Sequence, residues 1–254
     1  MYQKELELAI AAARRAGEIA LQYWNQGVQP DRKADDSPVT IADREAEKAI
    51  GDIIRAVFPD DGLLGEEGLA VPSSSGRRWI IDPVDGTRDF VRGNRMWAVL
   101  IALEDRGEVV VGVAYFPALN DLYWATNGSG AFCNGQPIAA SSVSTIAEAV
   151  VCVNGFNHLT PFPFASSLLE WLEPFWGVRS FGGALDAMMI ARGQADLWIE
   201  PVGKEWDFAP LKVIIEEAGG RFFNFDGGSS IYGGSCIACA PGMEEVARTF
   251  VRTA

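Results

Sequence analysis

Asp82 and Asp85 stand three residues apart in W-I-I-D-P-V-D-G-T-R-D-F, residues 79–90, where an apolar run breaks into acids, a proline, a glycine and a threonine. Carboxylates crowded at the end of a buried strand repel each other unless a cation lies between them. Trp79, Ile80 and Ile81 bury the strand that leads in, and Pro83 stiffens the turn. Such a strand end offers two carboxylates and the Val84 carbonyl to a common point, a hard-oxygen set suited to Mg²⁺. The Gly86 and Thr87 amides follow, placed to open a helix and cradle a phosphate. Two Mg²⁺ ions about 4 Å apart, bridged by a carboxylate, would activate a water and stabilise a leaving oxygen. That is a phosphatase in outline.

Other acids share this placement beside glycine or at an element end. Glu66 and Glu67 lie in L-L-G-E-E-G, and Asp207 lies in G-K-E-W-D-F-A-P. Each acid also has an ordinary structural reading. Glu66 and Glu67 suit a solvated loop, Asp82 and Asp85 an Asx turn, and Asp207 a helix cap. Pro210 favours the cap, because proline is best tolerated in a helix's first turn. The remaining chemistry is sparse. The four cysteines, Cys133, Cys152, Cys236 and Cys239, read as buried core thiols, since one histidine and one close cysteine pair cannot complete a tetrahedral zinc site. His158, the sole histidine, is expected on a loop surface, which leaves histidine-based nucleophilic catalysis without support.

The elements that must position these acids are legible from periodicity. Helices are expected at about 3–25 and 40–58, the second stopped by Pro59, with a polar loop between them. Strands are expected at R-R-W-I-I-D, W-A-V-L-I-A-L-E-D, E-V-V-V-G-V-A-Y-F-P-A and D-L-Y-W-A-T. An Asn-Gly turn falls at Asn134–Gly135. From about 149 onward strands and helices alternate: strand 149–153, helix 166–175, strand 177–181, helix 183–193, strand 195–200, helix 206–218, strands 220–225 and 235–240, helix 241–252. Meandering strands followed by alternation imply α/β or α+β layers.

The chain has 254 residues, 48% hydrophobic and 22% charged, which suits one large domain or two joined halves. A net charge of −13 disfavours nucleic acid, and no apolar run reaches membrane-spanning length, so a cytoplasmic protein with neither partner is expected. An anionic substrate remains compatible with this charge where metal ions invert the local field.

G-E-E, W-I-I-D-P-V-D-G-T-R-D-F and E-W-D-F-A-P-L-K-V-I-I-E-E-A-G-G resemble the paired signatures of the inositol monophosphatase family. K-A-D-D-S-P-V-T-I-A-D-R-E-A-E resembles that family's N-terminal motif, so the likeness spans nearly the whole chain. The resemblance implies a five-layered αβαβα sandwich of the inositol monophosphatase and fructose bisphosphatase type. It also implies a single catalytic domain over 1–254, in halves of about 1–145 and 146–254, assembled as a homodimer.

By the same resemblance, Glu66, Asp82 and the Val84 carbonyl would hold a first Mg²⁺, and Asp82, Asp85 and Asp207 a second. Glu66 could touch a third. Glu66, Thr87 and Asp43 would be catalytic, with Asp43 polarising the Thr87 hydroxyl towards the attacking water. Gly86 and Thr87 would bind phosphate, and Lys33 and Asp35 would belong to a mobile loop that closes the site.

The substrate is less sharply marked. Pro210, F-V-R-G, W-A-V-L-I-A-L-E-D and Glu200-Pro201 look similar to the histidinol-phosphate phosphatase branch. G-A-F-C-N-G-Q and G-G-A-L-D-A-M-M look like inositol phosphatases, with Glu200, Gly183 and Ala184 lining the substrate pocket. Asp89 stands where many members carry asparagine and is expected to face away from the phosphate. Histidinol phosphate is favoured, ahead of inositol monophosphates and then nucleotide or sugar phosphates. A catalytically inactive binding protein and a two-carboxylate glycosidase are the readings from other classes.

Overall fold

The computed structural model describes residues 1–27, 29–32 and 38–252. Lys33 and Asp35, expected in a closing loop, lie outside the described residues. The first half runs α1 (Gln3–Gln26), β1 (Asp31–Arg32), β2 (Pro38–Val39), α2 (Ile41–Val57), β3 (Gly62–Gly65), β4 (Ala70–Val71), β5 (Arg77–Asp85) and α3 (Thr87–Val91). It continues through β6 (Ala98–Asp105), β7 (Glu108–Phe116), β8 (Asp121–Thr126), β9 (Ala131–Cys133) and β10 (Gln136–Ile138). The second half contains β11 (Val150–Val153), α4 (Leu168–Leu172), β12 (Gly177–Arg179), α5 (Gly183–Ala191), β13 (Leu197–Glu200), α6 (Glu205–Glu217), β14 (Arg221–Phe223), β15 (Cys236–Cys239) and α7 (Glu244–Arg252).

Two sheets carry the core. The larger has the order β10-β9-β8-β7-β6-β5-β3-β4, and only the β3–β5 pairing is parallel. The smaller has the order β12-β11-β13-β15-β14, parallel where β11 meets β12 and β13. Ala9, Ala12, Ala13 and Ala16 of α1, with Ala46, Ile50 and Ile54 of α2, bury one apolar layer on the large sheet against Trp79, Ile81 and Ile101. On the other face, Ile80, Leu100 and Ala114 pack against α5 and α6, whose opposite sides meet Trp198 and Cys236 of the small sheet. Leu168, Leu172 and Phe250 cover that sheet's outer face. Helices, sheet, helices, sheet, helices: the αβαβα sandwich follows from four stacked apolar interfaces.

The interface between the large sheet and α6 is unusually close. A Cβ at Gly112 on β7 would lie 2.6 Å from the Pro210 carbonyl oxygen, so only glycine permits this approach. Pro210 itself corrects the sequence expectation. Because α6 begins at Glu205, Pro210 lies inside the helix, in its second turn, where it offers no N–H to the Trp206 carbonyl. No helix among the described residues is long and apolar enough to cross a membrane.

Candidate active site

β5 is buried through Trp79, Ile80 and Ile81 and then changes register against β6 between Asp82 and Asp85. Asp82 faces Leu100 and Asp85 faces Ala98, so one extra residue is looped out. Pro83 fits this bulge because it has no ladder N–H to lose. The Val84 N–H donates to Asp82 Oδ1 at 3.0 Å, so the Asx turn anticipated from sequence forms on the same residue as the candidate ligand. Gly86 follows at φ 82°, and a Cβ there would sit 3.0 Å from the Met96 carbonyl oxygen. This left-handed residue swings the chain into the one-turn helix that starts at Thr87.

Asp207 arrives from α6. Its Oδ2 accepts the Lys204 N–H at 2.6 Å, so it caps its helix as the ordinary reading required and also faces the β5 end. Carboxylate oxygens of Asp82, Asp85 and Asp207 lie within 4.8 Å of one another. Burial, followed by the charges of Glu66, Asp85 and Asp207, holds Asp82 far above the usual carboxylate range. Burial and the neighbouring charges raise Asp85 to about 8, against the pull of the Ala184 N–H. Asp207 rises to about 6 through burial, offset by the Lys204 amide. Three acids this close resist ionising together, and a multivalent cation among them would remove that penalty.

Glu66 follows β3 directly, its N–H bonded to the Ile81 carbonyl at 3.1 Å. Its side chain lines the same cleft and its charge presses on Asp82, Asp85 and Asp207, but it stands outside the tight three-acid set. The Val84 carbonyl is not unengaged, as the sequence suggested. It accepts the Thr87 hydroxyl at 3.2 Å, leaving one lone pair for another partner. Thr87 Oγ1 also lies 3.4 Å from Asp43 Oδ1, so its single proton has two acceptors in reach. Asp43 is fully buried on α2, where its other oxygen takes the Thr40 N–H at 2.8 Å and the Thr40 hydroxyl at 2.5 Å. Burial raises its pKa, partly offset by those bonds.

The facing wall holds the other expected residues. Glu200 ends β13 only 6% exposed, and its Oε2 accepts the Asn154 amide at 2.6 Å. Burial chiefly raises it to about 8. Gly183 and Ala184 open α5, and a Cβ on Gly183 would come 3.6 Å from Glu200 Oε2. The whole cleft encloses about 400 Å³.

Sequence reasoning missed Asn154, Arg88 and His158, all of which line this cleft. His158 is exposed as expected, but its loop forms the mouth of the cleft. Asp89 also lines the cleft, with Asn94 Nδ2 donating to its Oδ1 at 2.7 Å.

Residues 1–253 match the sequence profile of the inositol monophosphatase family. The chain is 41% identical to a histidinol-phosphatase of Chlorobaculum parvum over 93% of this chain and 92% of that one. It is 38% identical to a histidinol-phosphatase of Mycobacterium tuberculosis, over 94% of each. Its fold is similar to the crystal structure of extragenic suppressor protein suhB from Bartonella henselae, with a TM-score of 0.92 and 31% identity, over 99% of this chain and all of that one.

Layered fold, acid-lined cleft and these relatives define a phosphoric monoester hydrolase. The chain belongs to the inositol monophosphatase family, whose members are metal-dependent and act on small phosphorylated substrates.

Proposed function

We propose that the protein is a Mg²⁺-dependent phosphomonoesterase that favours histidinol phosphate. The observation that carries this is the convergence of Asp82, Asp85 and Asp207 in a cleft shared with Glu66 and Thr87. The donor set fits the ion: it is all oxygen, and its members resist sharing one site while ionised. Asp82, Asp85, Asp207, Glu66 and the Val84 carbonyl would hold two or three ions. Bound there, Mg²⁺ would neutralise the acids, acidify a water and stabilise the leaving oxygen.

The chain's own groups do the rest. Thr87 Oγ1, polarised by Asp43, takes a proton from the attacking water while its own moves towards Asp43 Oδ1. The Gly86 and Thr87 amides hold the phosphate. Glu200, Gly183 and Ala184 bound the space for the leaving group, where a buried carboxylate suits a cationic amine. Similarity to the two histidinol-phosphatases supports that choice. Inositol monophosphate is the second reading, because Gly183 places no further acid beside Glu200 and ring hydroxyls would be accepted there. One catalytic domain over 1–254, a homodimer and a cytoplasmic location belong to the same proposal.

A phosphate-release panel tests it: histidinol phosphate, myo-inositol 1-phosphate, adenosine 3′,5′-bisphosphate and fructose 1,6-bisphosphate, with Mg²⁺ and after chelation. The highest kcat/KM is expected on histidinol phosphate, with none left after chelation. Full activity without metal would overturn the proposal, and preference for the inositol ester would move it to the second reading.

A further inference from the structure

Helix α2 carries two buried acids, Asp43 and Glu47, four residues apart and therefore stacked on one helix face. Asp43 reaches Thr87. Glu47 reaches a different segment of the same cleft. Its Oε2 accepts the Glu67 N–H at 2.8 Å and its Oε1 accepts the Leu69 N–H at 2.8 Å. Those amides belong to the turn that leads from β3 back to β4, closed by Gly65 N–H to the Leu69 carbonyl at 2.7 Å.

Glu66 sits in this turn, between the β3 end and the first gripped amide. Its own N–H is pinned to β5 through Ile81, and its side chain lines the cleft. Gly65 completes the fit, because a Cβ at that position would collide with the Glu47 carboxylate. The carboxylate thus occupies the volume that any other residue at 65 would need. Charge-assisted bonds to backbone amides are strong and directional, so the grip sets where the turn lies relative to α2.

We propose that Glu47 is a positioning residue for the reaction: by gripping the 66–69 turn it fixes the direction of Glu66, so that one face of α2 aligns both Thr87 and Glu66. This rests on the role proposed for Glu66 above. Losing a partner that orients a ligand costs roughly 10–100-fold in metal affinity or activity, and that is the scale expected here.

Glu47→Gln in the full chain tests the grip. Glutamine has one acceptor oxygen, so one of the two amides would face an NH₂ group instead. Four readouts are taken: hydrogen exchange of the 66–69 amides in metal-free protein, Mg²⁺ binding by calorimetry, kcat and KM for an aryl phosphate, and the melting temperature. The expected result is a folded protein with faster exchange in the turn, Mg²⁺ affinity weaker by about tenfold or more, and kcat lower by about tenfold or more at nearly constant KM. Glu47→Asp, which keeps both acceptor oxygens on a shorter arm, should recover part of both losses.

A folded Glu47→Gln protein with wild-type Mg²⁺ affinity and kcat, changed only in melting temperature, would overturn the proposal. If Glu47→Gln does not fold, Gly65→Ala, which pushes the carboxylate aside, is held to the same expectation and the same refutation. Glu66→Gln run in parallel separates the two layers of the claim. Wild-type metal affinity and turnover in that variant would remove the role of Glu66, and the inference about Glu47 with it. Loss of both in Glu66→Gln but neither in Glu47→Gln would refute the inference about Glu47 alone.

Discussion

On one wall of the cleft Asp82, Asp85 and Thr87 arrive from a single strand end, whereas the facing wall draws Asn154, Gly183 and Glu200 from three separate elements. The first wall is set locally. A bulge at Pro83–Val84, the Asp82 Asx turn and a left-handed Gly86 leave the three side chains little freedom relative to one another. The second wall is set by topology. The parallel pairing of β11 with β13 brings Asn154 beside Glu200, with the Asn154 N–H on the Ile199 carbonyl at 3.0 Å, and α5 delivers Gly183 from a third direction. Chemistry held by consecutive residues is hard to alter without losing the turn. Recognition assembled from distant residues can change one side chain at a time. The two walls should therefore fail differently when mutated.

The largest effect is expected on the acid wall. Asp85→Asn should lower turnover at low Mg²⁺ by more than the roughly 10–100-fold cost of losing a ligand's partner, and added Mg²⁺ should restore part of it. A defect of the same size at every Mg²⁺ concentration would separate Asp85 from the metal.

Next comes Thr87→Ala. With the hydroxyl gone, kcat should fall by about 10²-fold or more, the scale of acid–base assistance, while calorimetric Mg²⁺ affinity stays close to wild type. Matching Mg²⁺ responses in the Asp85 and Thr87 variants would collapse the division of labour on this wall.

A smaller effect concerns stability and pH. Asp85 at about 8 and Asp207 at about 6 titrate above their unfolded values, so the folded state favours their protonated forms. Stability from these groups is present below the unfolded carboxylate pKa and is lost as pH rises through about 6 to 8. Metal-free protein should therefore melt lower at pH 8 than at pH 5.5, and Mg²⁺ should raise the melting temperature more at pH 8. An equal Mg²⁺ gain at both pH values would contradict the electrostatic account of the acid cluster.

The contrast between the walls also explains what the sequence revealed. The acid wall was legible because its signals are contiguous: an apolar strand, a proline, paired acids and a glycine. The long helices emerged within a residue or so of their ends, since α1 and α2 alternate apolar and charged faces over many turns. Short elements did not. β3, with the sequence G-L-L-G, reads as a loop until β5 supplies its parallel partner. Asn154 and His158 look like ordinary loop residues because nothing local records the β11–β13 pairing that brings Asn154 against Glu200. Glu47 looks like one more acid on an amphipathic helix, since its two amide partners lie 20 and 22 residues away. Pro210 misled because a local rule for proline placed it in the first turn, while the actual helix start lies further upstream.

The most direct test of the separation between the walls is kcat/KM of Glu200→Gln on histidinol phosphate and on a small aryl phosphate, measured beside Thr87→Ala. Glu200 is buried in the cleft wall and its proposed partner is the leaving group rather than the phosphate, so the aryl ester should turn over at the wild-type rate. On histidinol phosphate the lost charge pairing should cost about 1–3 kcal/mol, seen mainly in KM. Thr87→Ala should lower both substrates by a similar factor. If Glu200→Gln lowered both substrates equally, or neither, the facing wall would not be the part of the molecule that reads the substrate.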